Sequence, residues 1–462
     1  MDLHLELGRS GLRAGLMDAL REAVRSGRLV SGTRLPSSRS LAADLGIARN
    51  TVADAYAELV AEGWLTAQQG SGTRVAKRTE PRRAAPAAPR TRPTPRRPSY
   101  SLLPGAPDLS EFPRKEWLSA ARRALTSAPH DAFGYGDARG RMELRTVIAE
   151  YLARSRGVYA TPERVVICAG FHHGLMLAAQ ALRARRVRAV AIEAYGIDLY
   201  RDVLTSAGLR TPALPVDERG ARTDDMARLR GVGALLLTPA HQYPTGVALH
   251  PDRRAAAVDW ARATGGLILE DDYDGEFRYD RQPVGALQGL DPERVVYCGS
   301  ASKSLAPGLR LGWMVLPEEL ISEIVAAKGH GDYMSSSLEQ LTLAEFIASG
   351  SYERHVRAMR LRYRRRRDQL VTALAERAPS IRVTGIAAGL QAVLQLPPGT
   401  ERSVIQAAAW QGLAVSGMAD SRFDTAGPDR QPGQDGLVVN FATPSDSAWT
   451  GALDALCRAL PE

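Results

Sequence analysis

From residue 100 to residue 462, short continuous runs of apolar residues alternate with segments in which apolar residues recur at helical spacing. Five runs are rich in Val, Ile, Leu and Ala, and they cover residues 165–168, 189–192, 234–237, 267–269 and 295–298. Strands that helices cover on both faces have this near-continuous apolar composition. The alternation therefore predicts an α/β fold with a mainly parallel sheet.

Polar motifs directly follow three of the predicted strands. Residues 169–174 (AGFHHG) follow the first run and open a helix whose amino end can hold an anion. An acidic stretch, EDDYD at 270–274, follows the fourth run, and a loop with a single lysine follows the fifth. Ligands of such sheets bind at the carboxyl ends of strands. We therefore expect a phosphate cradle, a carboxylate cluster and an amine at one edge of the sheet.

The lysine loop, GSASKSLAPGLRLGW at 299–313, combines features that suit one small molecule. A lysine forms an imine with an aldehyde only if its amine can lose a proton, and partial burial beside a cation lowers its pKa. The neighbouring hydroxyls and Arg310 suit a phosphate. An aldehyde and a phosphate together describe pyridoxal 5'-phosphate (PLP), with Lys303 as its amine. The alternative is a solvated lysine in a polar loop.

The acidic stretch fits the same chemistry. PLP withdraws electrons only while its ring nitrogen is protonated, and an adjacent ionised Asp maintains that state. A tyrosine hydroxyl can hydrogen-bond the ring oxygen beside the imine. The alternatives are a divalent-metal site and a solvated acidic turn, but no His or further carboxylate follows at ligand spacing.

The amino-terminal segment has the pattern of a helix-turn-helix. Apolar residues at 12, 16, 20 and 24 predict a first helix, and Pro36-Ser37-Ser38 supplies the cap of a second helix at 39–45 that Gly46 ends. A third helix buries a stripe at 52, 55, 56 and 59, with Arg49, Asn50 and Thr51 exposed at its start for contact with base edges. Short strands at 64–66 and 73–75 enclose a glycine-rich hairpin, typical of a wing. The alternative is a three-helix module that only packs.

Composition narrows the class of protein. The 462 residues, 44% hydrophobic and 24% charged, suggest a soluble protein of two or three domains. We find neither a long apolar run nor a signal-peptide pattern, so we expect a cytoplasmic protein. The three cysteines are widely spaced and show no metal-ligand pattern, and Cys168 and Cys298 lie in apolar runs, which suggests buried thiols rather than disulfides. The net charge of +9 permits a polyanionic partner. Residues 77–99, rich in Pro, Ala and Arg, predict a flexible linker between domains at 1–76 and 100–462.

Residues 35–75 (LPSSRSLAADLGIARNTVADAYAELVAEGWLTAQQGSGTRV) closely resemble the winged helix-turn-helix of GntR-type bacterial regulators. The resemblance implies contact with operator DNA through Arg39, Arg49, Asn50, Thr51 and the wing around Gly72. Ala48 replaces the family's usual capping serine, which costs about 1 kcal/mol of helix stability.

The rest of the chain resembles a fold-type I aminotransferase, and the whole chain resembles the MocR/GabR subfamily of GntR regulators, which fuse both parts. Supporting stretches are FGYGDARGRMELRTVIAEYLARSRGV, TPAHQYPTGVALHPDRR, EDDYDGEFRY and SASKSLAPGLRLGW. The resemblance implies Lys303 as the imine lysine, Asp271 at the pyridine nitrogen and Tyr273 at the ring oxygen. The implied phosphate ligands are Ser300, Ser302, Arg310 and the backbone amides of Gly170 and Phe171, with Tyr135 reaching the phosphate of a partner subunit. It also implies a cis peptide at Tyr243-Pro244.

Three departures from the aminotransferase pattern bear on activity. Tyr243 replaces the Asn that contacts the ring oxygen, and Tyr195-Gly196-Ile197 replaces Pro-Gly-Tyr, which leaves ring stacking to Ile197, Tyr195 or His172. Val438 stands where an arginine grips the substrate α-carboxylate, a loss of several kcal/mol of binding. Arg430 lies nearby in a Pro/Gly-rich loop.

These patterns predict a homodimeric, PLP-dependent transcriptional regulator whose effector is PLP itself, in control of vitamin B6 synthesis, or an amino compound. The alternatives are a catalytically active aminotransferase and a DNA-binding protein whose large domain only dimerises. A basic cluster, Arg362 and 364–367, is expected on a solvated helix face with Tyr363 and Leu370 turned inward. The alternative is contact with nucleic acid.

Overall fold

The computed structural model describes residues 11–68, 72–77, 98–228, 230–279, 284–329, 335–423 and 434–461. The chain divides into two compact units, residues 1–95 and 96–462, which are described separately. Within the described residues, no helix is both long and apolar enough to cross a membrane.

The amino-terminal unit is a three-helix module with a two-stranded hairpin. Its elements are α1 (Leu12–Arg25), α2 (Ser38–Leu45), α3 (Arg49–Ala61), β1 (Leu65–Gln68) and β2 (Gly72–Val75). The hydroxyl of Ser37 accepts a hydrogen bond from the Ser40 amide at 3.1 Å, and Gly46 ends α2 with φ of +65°. The predicted helices and antiparallel hairpin are confirmed, with Leu16, Val52 and Leu59 in the core. Residues 69–71 at the hairpin tip lie outside the described residues.

The second unit contains the main sheet and the helices that connect its strands. In chain order the elements are β3 (Tyr100–Ser101), α4 (Arg114–Ser127), α5 (Met142–Arg156), β4 (Val165–Cys168), α6 (Phe171–Ala184), β5 (Val190–Glu193), α7 (Asp198–Ser206), β6 (Ala213–Leu214), β7 (Val216–Asp217), β8 (Gly220–Ala221), β9 (Ala234–Leu237), α8 (Pro251–Thr264), β10 (Leu267–Asp271), β11 (Val295–Ser300) and β12 (Gly312–Val315). The remaining elements are α9 (Ile321–Gly329), α10 (Ser337–Ala348), α11 (Ser351–Arg377), β13 (Arg382–Thr384), β14 (Gln391–Gln395), α12 (Glu401–Trp410), β15 (Leu413–Ala414), β16 (Ser416–Gly417), β17 (Gly436–Asn440) and α13 (Asp446–Ala459).

The main sheet has the strand order β4-β12-β11-β10-β9-β5-β6. All neighbouring pairs are parallel except those of β12, which runs antiparallel to both β11 and β4. All five predicted apolar runs form strands of this sheet, so the prediction of an α/β fold with a mainly parallel sheet is confirmed. The carboxyl ends of β4, β11, β10, β9 and β5 therefore lie along one edge.

A smaller antiparallel sheet, β13-β14-β17-β16, lies in the carboxy-terminal part of the second unit. Its apolar residues join those of α11 in one core cluster, which includes Tyr363 and Leu370, as predicted. The prediction that the whole basic cluster is solvated is wrong for Arg366, which is 2% exposed. Its guanidinium donates to Asp446 at 2.7 Å, and it lies on the same helix face as Tyr363 and Leu370. Arg362 is also partly buried and pairs with Asp108 at 3.0 Å.

The three cysteines, Cys168, Cys298 and Cys457, are buried and free, which agrees with the prediction of buried thiols.

Candidate functional site

A cavity of about 270 Å³ lies at the carboxyl ends of β5, β9 and β10. It brings together four predicted site residues: Asp271, Tyr273, Lys303 and Tyr243. The rest of its lining is Pro104, Gly105, Ile192, Glu193, Tyr195, Gly196, Ile197, Tyr200, Arg201, Leu236, Thr238, Leu390, Gln391, Phe423 and Asn440. The sheet topology explains this meeting, because parallel strands end at a common edge.

Lys303 lies in the turn that follows β11. Its ammonium group donates to the backbone carbonyl of Gly105. Burial lowers the pKa of Lys303, while the carboxylates of Asp271 and Asp274 act in the opposite direction. The next residue is fixed by α11, since the Tyr352 hydroxyl lies 2.8 Å from the Ser304 hydroxyl. The loop thus holds an amine with an increased tendency to lose its proton.

Three of the four acids in the 270–274 stretch have close polar partners among the described residues, and the partners differ. Glu270 accepts from the amides at 287 and 288, and Asp272 accepts a bidentate pair from Arg156 at 2.7 and 2.9 Å. Asp274 lies 2.8 Å from the His241 ring. Asp271 is 4% exposed, and its carboxylate accepts no hydrogen bond from any described residue. Burial, with a further contribution from Asp272, raises the pKa of Asp271 well above its usual value, and Lys303 lowers it.

The hydroxyl of Tyr273 has two nitrogen neighbours. The His241 Nδ1 atom lies 3.0 Å from it, and the Gln391 amide donates to it at 3.4 Å. A hydrogen bond from His241 Nδ1 to Asp274 at 2.8 Å places the hydrogen on that nitrogen, so Nδ1 does not accept the tyrosine proton. That proton is left for Asp274 or for an acceptor in the cavity. His241 was not among the predicted site residues, although it lies in the stretch TPAHQYPTG.

The amino end of α6 forms a cradle with Arg310. Gly170 precedes the helix with φ of +86°, and no side chain caps the helix, so its first amide groups stay available. The Arg310 Nη1 atom lies 3.4 Å from where a β-carbon on Gly170 would stand. Ser300, at the end of β11, and Ser302, in the turn that follows, are half-buried, and neither hydroxyl bonds to a described residue. Backbone amides and a guanidinium together suit an anion such as phosphate.

Two tyrosines of the predicted site lie in different places, one at the cavity and the other on the surface. Tyr243 lines the cavity, and its peptide bond to Pro244 is cis, as the resemblance implied. Tyr135 is 94% exposed and does not line the cavity of its own chain. Its assignment to the phosphate of a partner subunit stays a prediction.

Val438, at the position of the missing carboxylate-binding arginine, has apolar surroundings. Val438 is fully buried and packs with Val393, Met418 and Tyr195 in an apolar cluster. Arg430 lies outside the described residues. Of the three candidates for ring stacking, Ile197 and Tyr195 line the cavity, whereas His172 does not. Residues in this wall that the sequence analysis missed are Glu193, Tyr200, Arg201, Phe423 and Asn440.

Glu193 is the most deeply buried of these missed residues that can ionise. Its Oε2 atom accepts from the Thr238 amide at 3.2 Å, from the Thr238 hydroxyl at 2.5 Å and from the Gln242 side chain at 3.3 Å. Burial nevertheless raises its pKa to about 7.

In the amino-terminal unit, the predicted DNA-contacting residues lie at the start of α2 (Arg39), at the start of α3 (Arg49, Asn50 and Thr51) and in β2 (Gly72). Arg39, Arg49 and Asn50 are exposed and Thr51 is half-buried. No side chain caps α3 at Ala48. Gly72 has φ of +82°, and a β-carbon there would stand 3.1 Å from Arg34 Nε. The side chain of Arg34, which was not among the predicted residues, thus lies beside β2 at the end of the strand nearest the hairpin tip.

Comparison with known proteins covers both units. Residues 12–75 match the family of bacterial regulatory proteins of the gntR family, and residues 105–427 match the aminotransferase class I and II family. The chain is 33% identical over 450 residues to the probable rhizopine catabolism regulatory protein MocR of Rhizobium meliloti, covering 92% of this chain and 89% of that protein. It is 32% identical over 415 residues to the HTH-type pyridoxine biosynthesis transcriptional regulator PdxR of Corynebacterium glutamicum, with 87% of each chain covered.

Among solved structures, the chain is similar to an archaeal alanine:glyoxylate aminotransferase, with 25% identity and a TM-score of 0.69 over 78% of this chain and 90% of that chain. It is also similar to LysN, the α-aminoadipate aminotransferase of Thermus thermophilus, with 25% identity and a TM-score of 0.68 over 78% and 91% of the two chains. The winged helix-turn-helix, the aminotransferase fold and the relatives along nearly the whole chain lead to one conclusion. The chain belongs to the MocR-like HTH-type transcriptional regulators of the GntR family, which carry an aminotransferase class I and II domain.

Proposed function

We propose that this regulator binds PLP at Lys303 and couples ligand capture in the cavity to the presentation of its winged helices on operator DNA. The observation that carries the proposal is the state of Asp271. Alone among the four acids of its stretch, its carboxylate accepts no hydrogen bond from a described residue, and it lines the same cavity as Lys303. A buried carboxylate without a donor fits a protonated ring nitrogen, which needs an ionised partner.

The other residues of the site fit the remaining parts of PLP. Lys303 supplies an amine for the aldehyde, and Tyr273 and Tyr243 supply hydroxyls for the ring oxygen. Groups suited to the phosphate are Gly170, Phe171, Ser300, Ser302, Arg310 and, from a partner subunit, Tyr135. When bound, PLP supplies an aldehyde that captures amines and a ring that withdraws electrons. The chain's own part is to hold and orient the cofactor.

For DNA, the proposed contacts are Arg39, Arg49, Asn50, Thr51 and the hairpin around Gly72. A homodimer presents two such units to two half-sites, the usual arrangement for helix-turn-helix proteins. We propose domain boundaries at 1–76 and 100–462, with residues 77–99 as the linker.

The effector is proposed to be PLP itself or an amino compound. The name of PdxR refers to pyridoxine biosynthesis, which supports PLP as the effector, whereas that of MocR, a relative of similar identity, refers to rhizopine catabolism. A second candidate function is aminotransferase activity, which the presence of Lys303 and Asp271 favours. Val438 argues against it, because its apolar cluster offers no cation to a substrate α-carboxylate.

The test combines spectroscopy with DNA binding. Purified full-length protein mixed with PLP is expected to gain visible absorbance, and Lys303→Ala is expected to abolish both that absorbance and the effect of ligands on operator affinity. Binding of DNA by the winged units of the variant should persist. Steady keto-acid production from a panel of amino donors would favour the aminotransferase instead.

A further inference from the structure

A buried pair of side chains, His241 and Asp274, lies behind Tyr273. His241 is 2% exposed and Asp274 is 3% exposed, and neither is part of the cavity lining. The Nδ1 atom of His241 lies 2.8 Å from Asp274 Oδ2 and 3.0 Å from the Tyr273 hydroxyl. The packing leaves no room for a side chain at Gly389, where a β-carbon would stand 2.3 Å from His241 Cε1 and 2.4 Å from the same Asp274 oxygen. Tyr273, which lines the cavity, thus connects this pair to the ligand site.

The surroundings of His241 decide which ring nitrogen carries a hydrogen. Its Nε2 atom is buried and has no hydrogen-bond partner within the described residues. A hydrogen on Nδ1 meets the Asp274 carboxylate, whereas a hydrogen on Nε2 would be a buried donor without an acceptor. His241 is therefore a neutral donor that holds the Asp274 carboxylate in one orientation.

The hydrogen of the Tyr273 hydroxyl has a charged acceptor within the protein. The Tyr273 oxygen receives the Gln391 amide at 3.4 Å, and the hydroxyl lies within hydrogen-bonding reach of Asp274. Burial, followed by the charge of Asp274, raises the pKa of Tyr273 well above its usual value, so the phenol keeps its hydrogen. A hydrogen bond to a carboxylate is about twice as strong as one to a neutral acceptor. A buried carboxylate also needs more than one donor, and His241 and Tyr273 together supply two.

We propose that Asp274, held by His241, takes the hydrogen of the Tyr273 hydroxyl, so that Tyr273 does not donate to the ring oxygen of PLP. The nitrogen that joins Lys303 to PLP then keeps its proton to a higher pH. The inference rests on the proposed function, because it needs PLP at Lys303. The ring oxygen shares the proton of that nitrogen, and a donor at the ring oxygen would weaken the sharing and favour loss of the proton. Of the two tyrosines assigned to the ring oxygen, Tyr243 is then the donor.

His241 and Asp274 are thus positioning residues that act through Tyr273. They favour the protonated linkage between the lysine and PLP, which is the form that a free amine attacks. The pair therefore suits a site that captures amines.

Other charges act on the same nitrogen and have to be separated from this effect. The titratable groups around Lys303 and Tyr273 are Asp271, Asp274, Tyr243 and Glu193. The carboxylate of Asp274 favours a protonated Lys303 through its charge alone, in the same direction as the proposed hydrogen bond. Removal of Asp274 by itself does not distinguish the two causes, so the test also changes Tyr273.

The test is a double-mutant cycle of Asp274→Asn and Tyr273→Phe in full-length protein loaded with PLP. The measured quantity is the pH midpoint of the change in visible absorbance. With Tyr273 present, Asp274→Asn should lower the midpoint by about one pH unit or more, because a neutral amide is a weaker acceptor and releases the hydroxyl to the ring oxygen. In the Tyr273→Phe background, the same substitution should lower the midpoint by less than about half a unit.

Three further measurements accompany the cycle. Asp368→Asn removes an exposed acid on α11 and is the control that should leave the midpoint unchanged. If Asp274→Asn does not fold, Tyr273→Phe alone decides, since loss of a donor at the ring oxygen would raise the midpoint by about one unit, whereas the inference predicts no rise. In PLP-free protein, nitrogen NMR should find the hydrogen of the His241 ring on Nδ1, with the signals assigned by their loss in His241→Gln.

The inference is overturned if Asp274→Asn lowers the midpoint equally in both backgrounds or in neither. It is also overturned if Tyr273→Phe raises the midpoint or if the His241 hydrogen lies on Nε2. Failure of the proposed function is different, because wild-type protein would then show no absorbance that depends on Lys303. In that case the inference falls with the proposed function, wherever the His241 hydrogen lies.

Discussion

The guanidinium of Arg310 lies against Gly170, with Nη1 3.4 Å from the point where a β-carbon on Gly170 would stand. Both residues have left-handed backbone, with φ of +54° for Arg310 and +86° for Gly170. Such a conformation costs a non-glycine residue about 1–2 kcal/mol. The backbones of Gly312 and Gly170 also lie close together. Gly312 permits this because it has no side chain, and a β-carbon there would come 2.8 Å from Gly170 Cα. The chain thus keeps a strained arginine beside an uncapped helix end, the arrangement expected of an anion site.

Gly170→Ala tests this cradle. The added methyl group enters the space beside Arg310, so we expect PLP affinity to fall by about tenfold or more, while affinity for pyridoxal, which lacks the phosphate, changes little. The measurement is equilibrium binding of both compounds. Gly399→Ala is the control, because Gly399 has φ of +82° and open space around its β-carbon position. Equal effects on PLP and pyridoxal would contradict the assignment of the phosphate.

Asp271→Asn and Asp272→Asn separate a ligand-binding acid from a structural one. Asp272→Asn breaks the buried ion pair with Arg156 and should cost about 3–5 kcal/mol of unfolding free energy. Asp271→Asn loses no hydrogen bond to a described residue and removes a buried charge, so PLP-free protein should be no less stable. Its PLP affinity should nevertheless fall, because a neutral amide cannot keep the ring nitrogen protonated. Thermal unfolding without PLP and binding titration distinguish the two. Similar destabilisation by both variants would be the contrary result.

Glu193→Gln gives a prediction for pH dependence. Because the folded-state pKa of Glu193 is raised to about 7, the folded protein holds its proton more tightly than the unfolded chain. Its contribution to stability is present below the ordinary pKa and is lost as pH rises from about 4.5 to about 7. The neutral amide keeps an oxygen for Thr238 and Gln242 and has no such loss. As pH rises through that range, the free energy of unfolding of the variant should increase by about 3 kcal/mol relative to that of wild type. Chemical denaturation at several pH values measures it, and a pH-independent difference would refute the buried ionisation.

Ala48→Ser should stabilise α3, because Ala48 occupies an N-cap position whose helix has no side-chain cap. The expected gain is about 1 kcal/mol for the amino-terminal unit. Hydrogen exchange of amides in α3 reports it, with Ser37→Ala as the opposite change at a cap that is present in α2. Slower exchange in the first variant and faster exchange in the second are expected; unchanged exchange in Ala48→Ser would contradict the role of the cap.

The sequence predicted the elements whose local pattern matches their environment. The apolar run 165–168 became β4 because both faces of the sheet are covered, and Ser37 and Gly46 fixed the ends of α2 through backbone chemistry. The polar residues after each strand, including Asp271 and Lys303, reached one cavity because parallel strands end at one edge.

What the sequence did not reveal depends on partners far apart in the chain. The charge pattern around Arg366 predicted a solvated side chain, but Arg366 donates to Asp108, which lies 258 residues away in the sequence. His241 has no distinctive spacing, and its meeting with Asp274 follows from the packing of two loops. Arg201 lies on an ordinary amphipathic helix, and only the cavity on its inner side distinguishes it from the other arginines.

The most direct test of the central claim is the visible absorbance of purified full-length protein during titration with PLP, recorded for wild type and for Lys303→Ala. The account predicts a saturable band near one equivalent per chain for wild type and none for the variant, although both remain folded. A wild-type protein that takes up no PLP, or a variant that shows the same band, would contradict the account.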